Sequence, residues 1–177
     1  MQTFISILRG INVSGQKKML MTDLAKLYED LGFKEVVTYI QSGNVIFKTD
    51  KKFTNVKLAK LIEDKIAVTC NFQVPVIIRT LNELQHIVAI NPFIKEDIDS
   101  LYVTFLSNSP NVVNLEKLDN VSFLPDRFEI RDKEIFLSVS SYGSTKLSNN
   151  FFENKLKVTA TTRNWKTVIK LLELANE

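Results

Sequence analysis

The chain of 177 residues is 45% hydrophobic and 24% charged, with Gly 5 and Pro 4, which suits one ordinary globular domain or two small ones. That balance excludes a disordered or fibrous chain, and the single cysteine, Cys70, excludes an internal disulfide and any CxxC metal or redox site. The net charge is a weak +3, no apolar run approaches the roughly 18 residues of a membrane span, and the opening MQTFISILRG lacks a basic n-region and a cleavage site, so a cytoplasmic setting is expected.

The first element is the apolar, partly β-branched run Phe4 to Leu8, which reads as a buried strand and stops at Arg9-Gly10. After a loop, Thr22 is an N-cap candidate, and Leu24, Leu27, Tyr28 and Leu31 repeat at helical spacing before Gly32 ends the helix. Glu35 to Ile40 and Val45 to Lys48 are strand-like runs joined by Gln41-Ser42-Gly43-Asn44, whose Gly and Asn tolerate a tight turn. Thr54 caps a second helix with Leu58, Leu61, Ile62 and Ile66 on one face. Gln73 to Arg79 follows as a strand that Pro75 confines to an edge or a start. The order to this point is βαββαβ.

Thr80 to Glu83 is a capping box that launches a helix, and Asn91-Pro92 must end it because the proline ring cannot continue the helix. Beyond that point, Leu101 to Leu106 reads as a strand and Val112 to Leu118 as a short helix. Arg127 to Arg131 pairs with Glu134 to Val139 through Asp132-Lys133. A helix from Leu147 to Leu156, an extended piece at Val158 to Ala160 and a last helix from Arg163, with Trp165, Val168, Ile169 and Leu172 on one face, complete the chain. The pattern predicts an α+β protein of two tandem ferredoxin-like α/β plaits, residues 1–93 and 94–177, without a visible residue-level repeat.

Several chemistries fail on residue type. The segment Gly10 to Gly15 lies between a strand and a helix, as a phosphate-binding P-loop would, but Gln16 precedes Lys17 and no Ser or Thr follows to hold Mg²⁺. The lone His86 sits inside a capped helix, and one His with one Cys makes neither a zinc site nor a Cys-His nucleophile pair. An RNA-recognition module shares the βαββαβ order and would use Phe4 for stacking, but Asn44 to Lys48 lacks the basic-Gly-aromatic signature.

What remains is charge and polar loops. Residues 1–22 hold Arg9, Lys17 and Lys18 with no acid, and residues 144–170 carry a net +5, so the rest of this +3 chain carries −5. If the fold brings the two basic segments together, they create a local positive field suited to a small anion. Candidate ligand-binding residues are Arg9, Gly10, Asn12, Lys18, Gln41, Ser42, Gly43, Asn44, Lys146, Arg163, Asn164 and Trp165. Thr161 to Trp165 opens the last helix, whose free N-H groups would favour an anion. Asn12, Ser42 and Asn44 as turn formers, Thr162 as an N-cap and Trp165 as a core anchor are the competing structural readings.

The runs Leu8-Arg9-Gly10-Ile11-Asn12-Val13, Leu31-Gly32-Phe33, Thr38-Tyr39, Gln41-Ser42-Gly43-Asn44-Val45, Asn91-Pro92-Phe93, Lys146-Leu147 and Thr162-Arg163-Asn164-Trp165, with Met21, closely resemble the bacterial domain-of-unknown-function family 1697 over almost the whole chain. The resemblance implies two tandem α/β plaits and no known activity. Where the family carries a glycine pair and a basic residue after the first motif, this chain has Ser14-Gly15-Gln16, with Lys18 retained. Before Lys146 the family often has a basic residue and Ser, whereas here stand Ser144 and Thr145.

Two readings from different classes follow. One is a small-molecule site for a phosphorylated or carboxylated ligand, with Arg9, Lys18, Lys146 and Arg163 as anion clamps and Gln41, Ser42 and Asn44 as orienting groups. Catalysis by positioning stays open, with no general base or cofactor assignable. The other is a non-catalytic nucleic-acid or protein-binding module using the same basic face. The first reading also expects Arg9 and Arg163 to be surface residues whose truncation leaves folding nearly unchanged, and Trp165 to be mostly buried.

Overall fold

A computed structural model describes residues Met1–Glu177. The chain forms two compact units, Met1–His86 with Lys170–Glu177 and Ile87–Ile169. The division therefore falls inside two helices rather than between residues 93 and 94, a break that an uninterrupted helical pattern does not reveal. No helix is long and apolar enough to cross a membrane.

In the first unit the order is β1 (Gln2–Leu8), α1 (Met21–Asp30), β2 (Lys34–Tyr39), β3 (Asn44–Thr49), α2 (Asn55–Cys70), β4 (Val76–Thr80) and the start of α3 (Leu81–Ala89). The strands form one antiparallel sheet in the order β2-β3-β1-β4, the ferredoxin-like arrangement. Alternation along the strands puts Phe4, Leu8, Val45, Phe47, Val76 and Ile78 on the face that packs against Leu24, Leu27 and Tyr28 of α1 and Leu58, Ile62 and Ile66 of α2. The rings of Phe33 and Phe47 stack at 4.5 Å between centroids, and Tyr28 shares a 2.5 Å hydrogen bond with Ser6 in the same core.

The local signals mostly act as expected. Thr54 accepts from the Lys57 amide, Gly32 takes the positive φ (+83°) that ends α1, and Thr80 and Glu83 exchange the two bonds of a capping box. One differs, because α1 starts at Met21 behind Leu20, which makes no side-chain capping bond, and Thr22 lies inside the first turn.

The second unit repeats the plan with β5 (Leu101–Leu106), α4 (Val112–Leu115), β6 (Arg127–Arg131), β7 (Glu134–Ser138), α5 (Asn149–Leu156), β8 (Ala160–Asn164) and the start of α6 (Trp165–Ala175). Its antiparallel sheet runs β6-β7-β5-β8, the same order position for position. The fold is thus two tandem plaits. Residues recur at equivalent places although no sequence repeat is visible. Glu63 of α2 accepts from the amide of Val76, the first residue of β4, and Glu153 of α5 accepts from Ala160, the first residue of β8. Arg79 and Arg163 each stand two residues before the following helix, buried, with Nη1 donating to the preceding carbonyl at 2.9 Å.

The segment 160–164 is the largest departure from expectation. It is an edge strand paired with β5, not a short extended piece followed by a helix from Arg163. The helix begins at Trp165 and is capped by Asn164, whose Oδ1 accepts from Thr167, so Thr162 is not the cap. Its buried apolar positions are Trp165 and Val168, as expected, with Leu171 and Ala175 in place of Ile169 and Leu172.

Candidate functional site

The candidate residues fall into two groups, one in each unit. In the first unit three backbone segments meet at one corner of the sheet, where Leu8 donates to the Gly43 carbonyl at 2.8 Å and Arg9 to the Pro75 carbonyl at 2.9 Å. The chain then leaves the sheet in a loop that turns sharply on itself, with positive φ at Gly10, Asn12, Ser14, Gly15 and Lys17. Left-handed conformations suit Gly and Asn, which explains the residue types of the first motif.

Asn12 fixes that loop. Its amide nitrogen donates to the carbonyls of Met19 (2.9 Å) and Gln41 (3.0 Å), and its oxygen accepts from the Met19 amide at 2.8 Å. Both amide hydrogens are therefore committed to the backbone, and the loop is bound to the turn of the second motif. Asn44 behaves similarly, buried and donating to the Tyr39 carbonyl and to Ser42 Oγ. Gly43 sits so close under the loop that a Cβ there would fall 2.7 Å from Ile11 Cδ1. The two motifs are one interlocked structure in which Asn12, Gly43 and Asn44 are framework. Asn12→Ala would leave several backbone groups without partners, and a loss of about 2 kcal/mol in urea unfolding is expected.

The interlock shapes a cleft of about 600 Å³ lined by Asn12, Gly15, Lys18, Met19, Leu20, Met21, Thr22, Asp23, Gln41 and Cys70. Of the sequence candidates, Asn12, Lys18 and Gln41 line it. Its other wall, Met19 to Asp23 with Cys70, was missed. The clue was available in the two methionines and Leu20 flanking an exposed lysine, an apolar run with no strand or helix period to bury it. The amides at the start of α1 open beside this cleft without a side-chain cap. Cys70 is a poor nucleophile, because burial raises its pKa, with the charge of Asp23 adding to the effect. Arg9 is half-buried at the sheet corner and does not line the cleft. No group of His, Cys, Asp or Glu is clustered to hold a metal ion.

The second unit's candidates are differently placed. Lys146 is exposed, with its ammonium 5.5 Å above the Phe123 ring. Asn164 is spent on capping α6, and Trp165 is 2% exposed, which makes it a core residue rather than a platform for a ligand ring. Arg163 is 8% exposed and donates to Thr161 Oγ1 and the Thr162 carbonyl, and burial pulls its pKa down to about 10. The expectation that it is a surface clamp gives way: its position on a strand, not at a helix start, turns it inward. Truncation removes packing and donated hydrogen bonds while relieving a desolvation cost, so Arg163→Ala should lower stability by about 2 kcal/mol, read as a shift in thermal midpoint.

The corresponding corner of the second plait shows what is particular about the first. There Leu106 donates to the Lys133 carbonyl and Ser107 to the Thr159 carbonyl, matching Leu8 and Arg9. At that corner, however, β6 and β7 are joined by the two-residue turn Asp132-Lys133, in place of the motif turn that binds Asn12.

The profile of the family described as "Protein of unknown function (DUF1697)" matches residues 1–136. Among solved structures, the chain is similar to "conserved bacterial protein SP0830 from Streptococcus pneumoniae", with a TM-score of 0.78, 21% identity and 98% of each chain covered. At that identity the likeness shows the fold alone. Among curated proteins nothing matches.

Proposed function

Because the chain belongs to the DUF1697 family, for which no function is described, we propose on the chemistry of its own cleft that it binds a small phosphorylated or carboxylated ligand in the first unit. One observation carries the reading: a cleft of about 600 Å³ beside uncapped amides at the start of α1, with Lys18 among its lining residues. Its volume falls in the range of small-ligand sites, roughly 300–1,000 Å³. The amides and the ammonium supply donors and positive potential to an anionic group, and Gln41 offers an orienting amide. Asn12 lines the cleft with its amide already bonded to the backbone, so it contributes chiefly by holding the cleft's two loops together. Arg9, Lys146 and Arg163 are left out of this reading. A cytoplasmic setting belongs to the same proposal.

Inorganic phosphate and 4-methylpentanoate are the test probes. At a hundredfold excess over its Kd, a ligand bound to the native state adds about 2.7 kcal/mol to its stability, enough to move the thermal midpoint by several degrees. At least one probe should do so, Lys18→Ala should shrink the shift, and moderate salt should change it little. No shift from either probe, or a shift unaltered in Lys18→Ala, overturns the reading. Binding to nucleic acid that falls steeply with salt would support the non-catalytic module instead.

A further inference from the structure

The cleft wall carries two opposite charges, not one. Lys18 and Asp23 both line it, both are exposed, and neither is engaged in an ion pair or a hydrogen bond, with each other or with any other side chain. Other exposed charges divide: Lys60 pairs with Asp64 at 2.7 Å and Lys166 with Asp99 at 2.5 Å, whereas Lys26, Asp50 and Lys52 make no pair, so what marks Lys18 and Asp23 is that opposite charges line one cleft. Between and around the two charges stand Met19, Leu20, Met21 and Cys70, and Leu20 is 68% exposed, an expensive position for a leucine with nothing to cover it. Net charge along the wall is therefore zero, and much of the remaining lining is apolar.

We propose that the cleft takes a small zwitterion with an apolar body, such as an apolar amino acid or a dipeptide. The ligand carboxylate would meet Lys18, its ammonium Asp23, and its side chain the methionines and Leu20. Methionine is the side chain best able to mould itself around apolar ligands of varied shape. The inference rests on the anion-site reading and narrows it, because it requires a cationic group on the same ligand.

Calorimetric titration with L-leucine, leucyl-leucine, 4-methylpentanoate and isoamylamine tests it, the last two being leucine without its ammonium and without its carboxylate. Leucine or leucyl-leucine should bind about tenfold more tightly than either half, the difference expected for one charge-assisted contact. Asp23→Asn should remove the advantage over 4-methylpentanoate, and Lys18→Met the advantage over isoamylamine, while both variants keep the wild-type circular dichroism. If 4-methylpentanoate binds as tightly as leucine and Asp23→Asn changes nothing, the zwitterion inference falls and the anion site stands. If none of the four binds, the zwitterion inference falls, and the anion site then stands or falls with inorganic phosphate.

Discussion

Trp165→Ala should cost about 3–5 kcal/mol, the range for deleting a large buried aromatic side chain. Trp165 is the first residue of α6, follows directly on the capping Asn164 and is 2% exposed. Its loss would open a cavity at the junction of strand and helix, where neighbours held by the β5–β8 ladder have little freedom to collapse into the space. For a chain of this length the thermal midpoint should fall by roughly 10 °C or more. Calorimetric melting of the wild type and of Trp165→Phe, which keeps most of the volume and should lose much less, provides the comparison. A drop below about 1 kcal/mol would return Trp165 to the list of surface candidates.

Gly43→Ala is expected to cost about 3 kcal/mol for two separable reasons. Gly43 holds φ at +81°, which for an L residue costs about 1–2 kcal/mol. The new Cβ would also lie 2.7 Å from Ile11 Cδ1 and 2.8 Å from Leu8 Cβ. The isoleucine tip can swing aside, but Leu8 Cβ is fixed by the β1 backbone, so part of the overlap must be taken up by moving the two loops apart. Gly10 supplies the control, since φ is +72° there but nothing lies within 4 Å of the added carbon. Gly10→Ala should show only the backbone part, about 1–2 kcal/mol. Equal losses at the two positions in urea unfolding would remove the close-packing argument.

Local grammar explains what could be read in advance. The Thr54 cap, the Thr80–Glu83 box, the Asp132-Lys133 turn and the strand Leu101–Leu106 each depend on neighbours in the chain, and each forms as the residues indicate. Two plaits followed from the order of such elements. β8 was hidden because Thr161-Thr162-Arg163-Asn164 is polar, and a polar run before an amphipathic helix reads as a helix entrance. The β-branched threonine pair was the available signal for a strand. In the site, glycine and asparagine announced the two tight loops, but the bond from Asn12 to the Gln41 carbonyl joins residues 29 apart, and only the closed sheet brings them together. The inward turn of Arg163 is likewise a property of sheet alternation, which a mistaken helix assignment cannot supply.

The division of the chain has a consequence for how the protein is made. Lys170–Glu177 belongs to the first unit, where Leu171 and Ala175 are buried and Gln85 donates to Asn176 across 91 positions of sequence. The first plait therefore emerges early from a ribosome but lacks its closing segment until residues 170–177 have been made. Such distant pairing slows folding, because a long loop must close before any contact rewards it. The first plait must then wait, incomplete, through synthesis of the whole second plait, and removing residues 170–177 would take buried Leu171 and Ala175 from the unit that begins about 170 residues earlier.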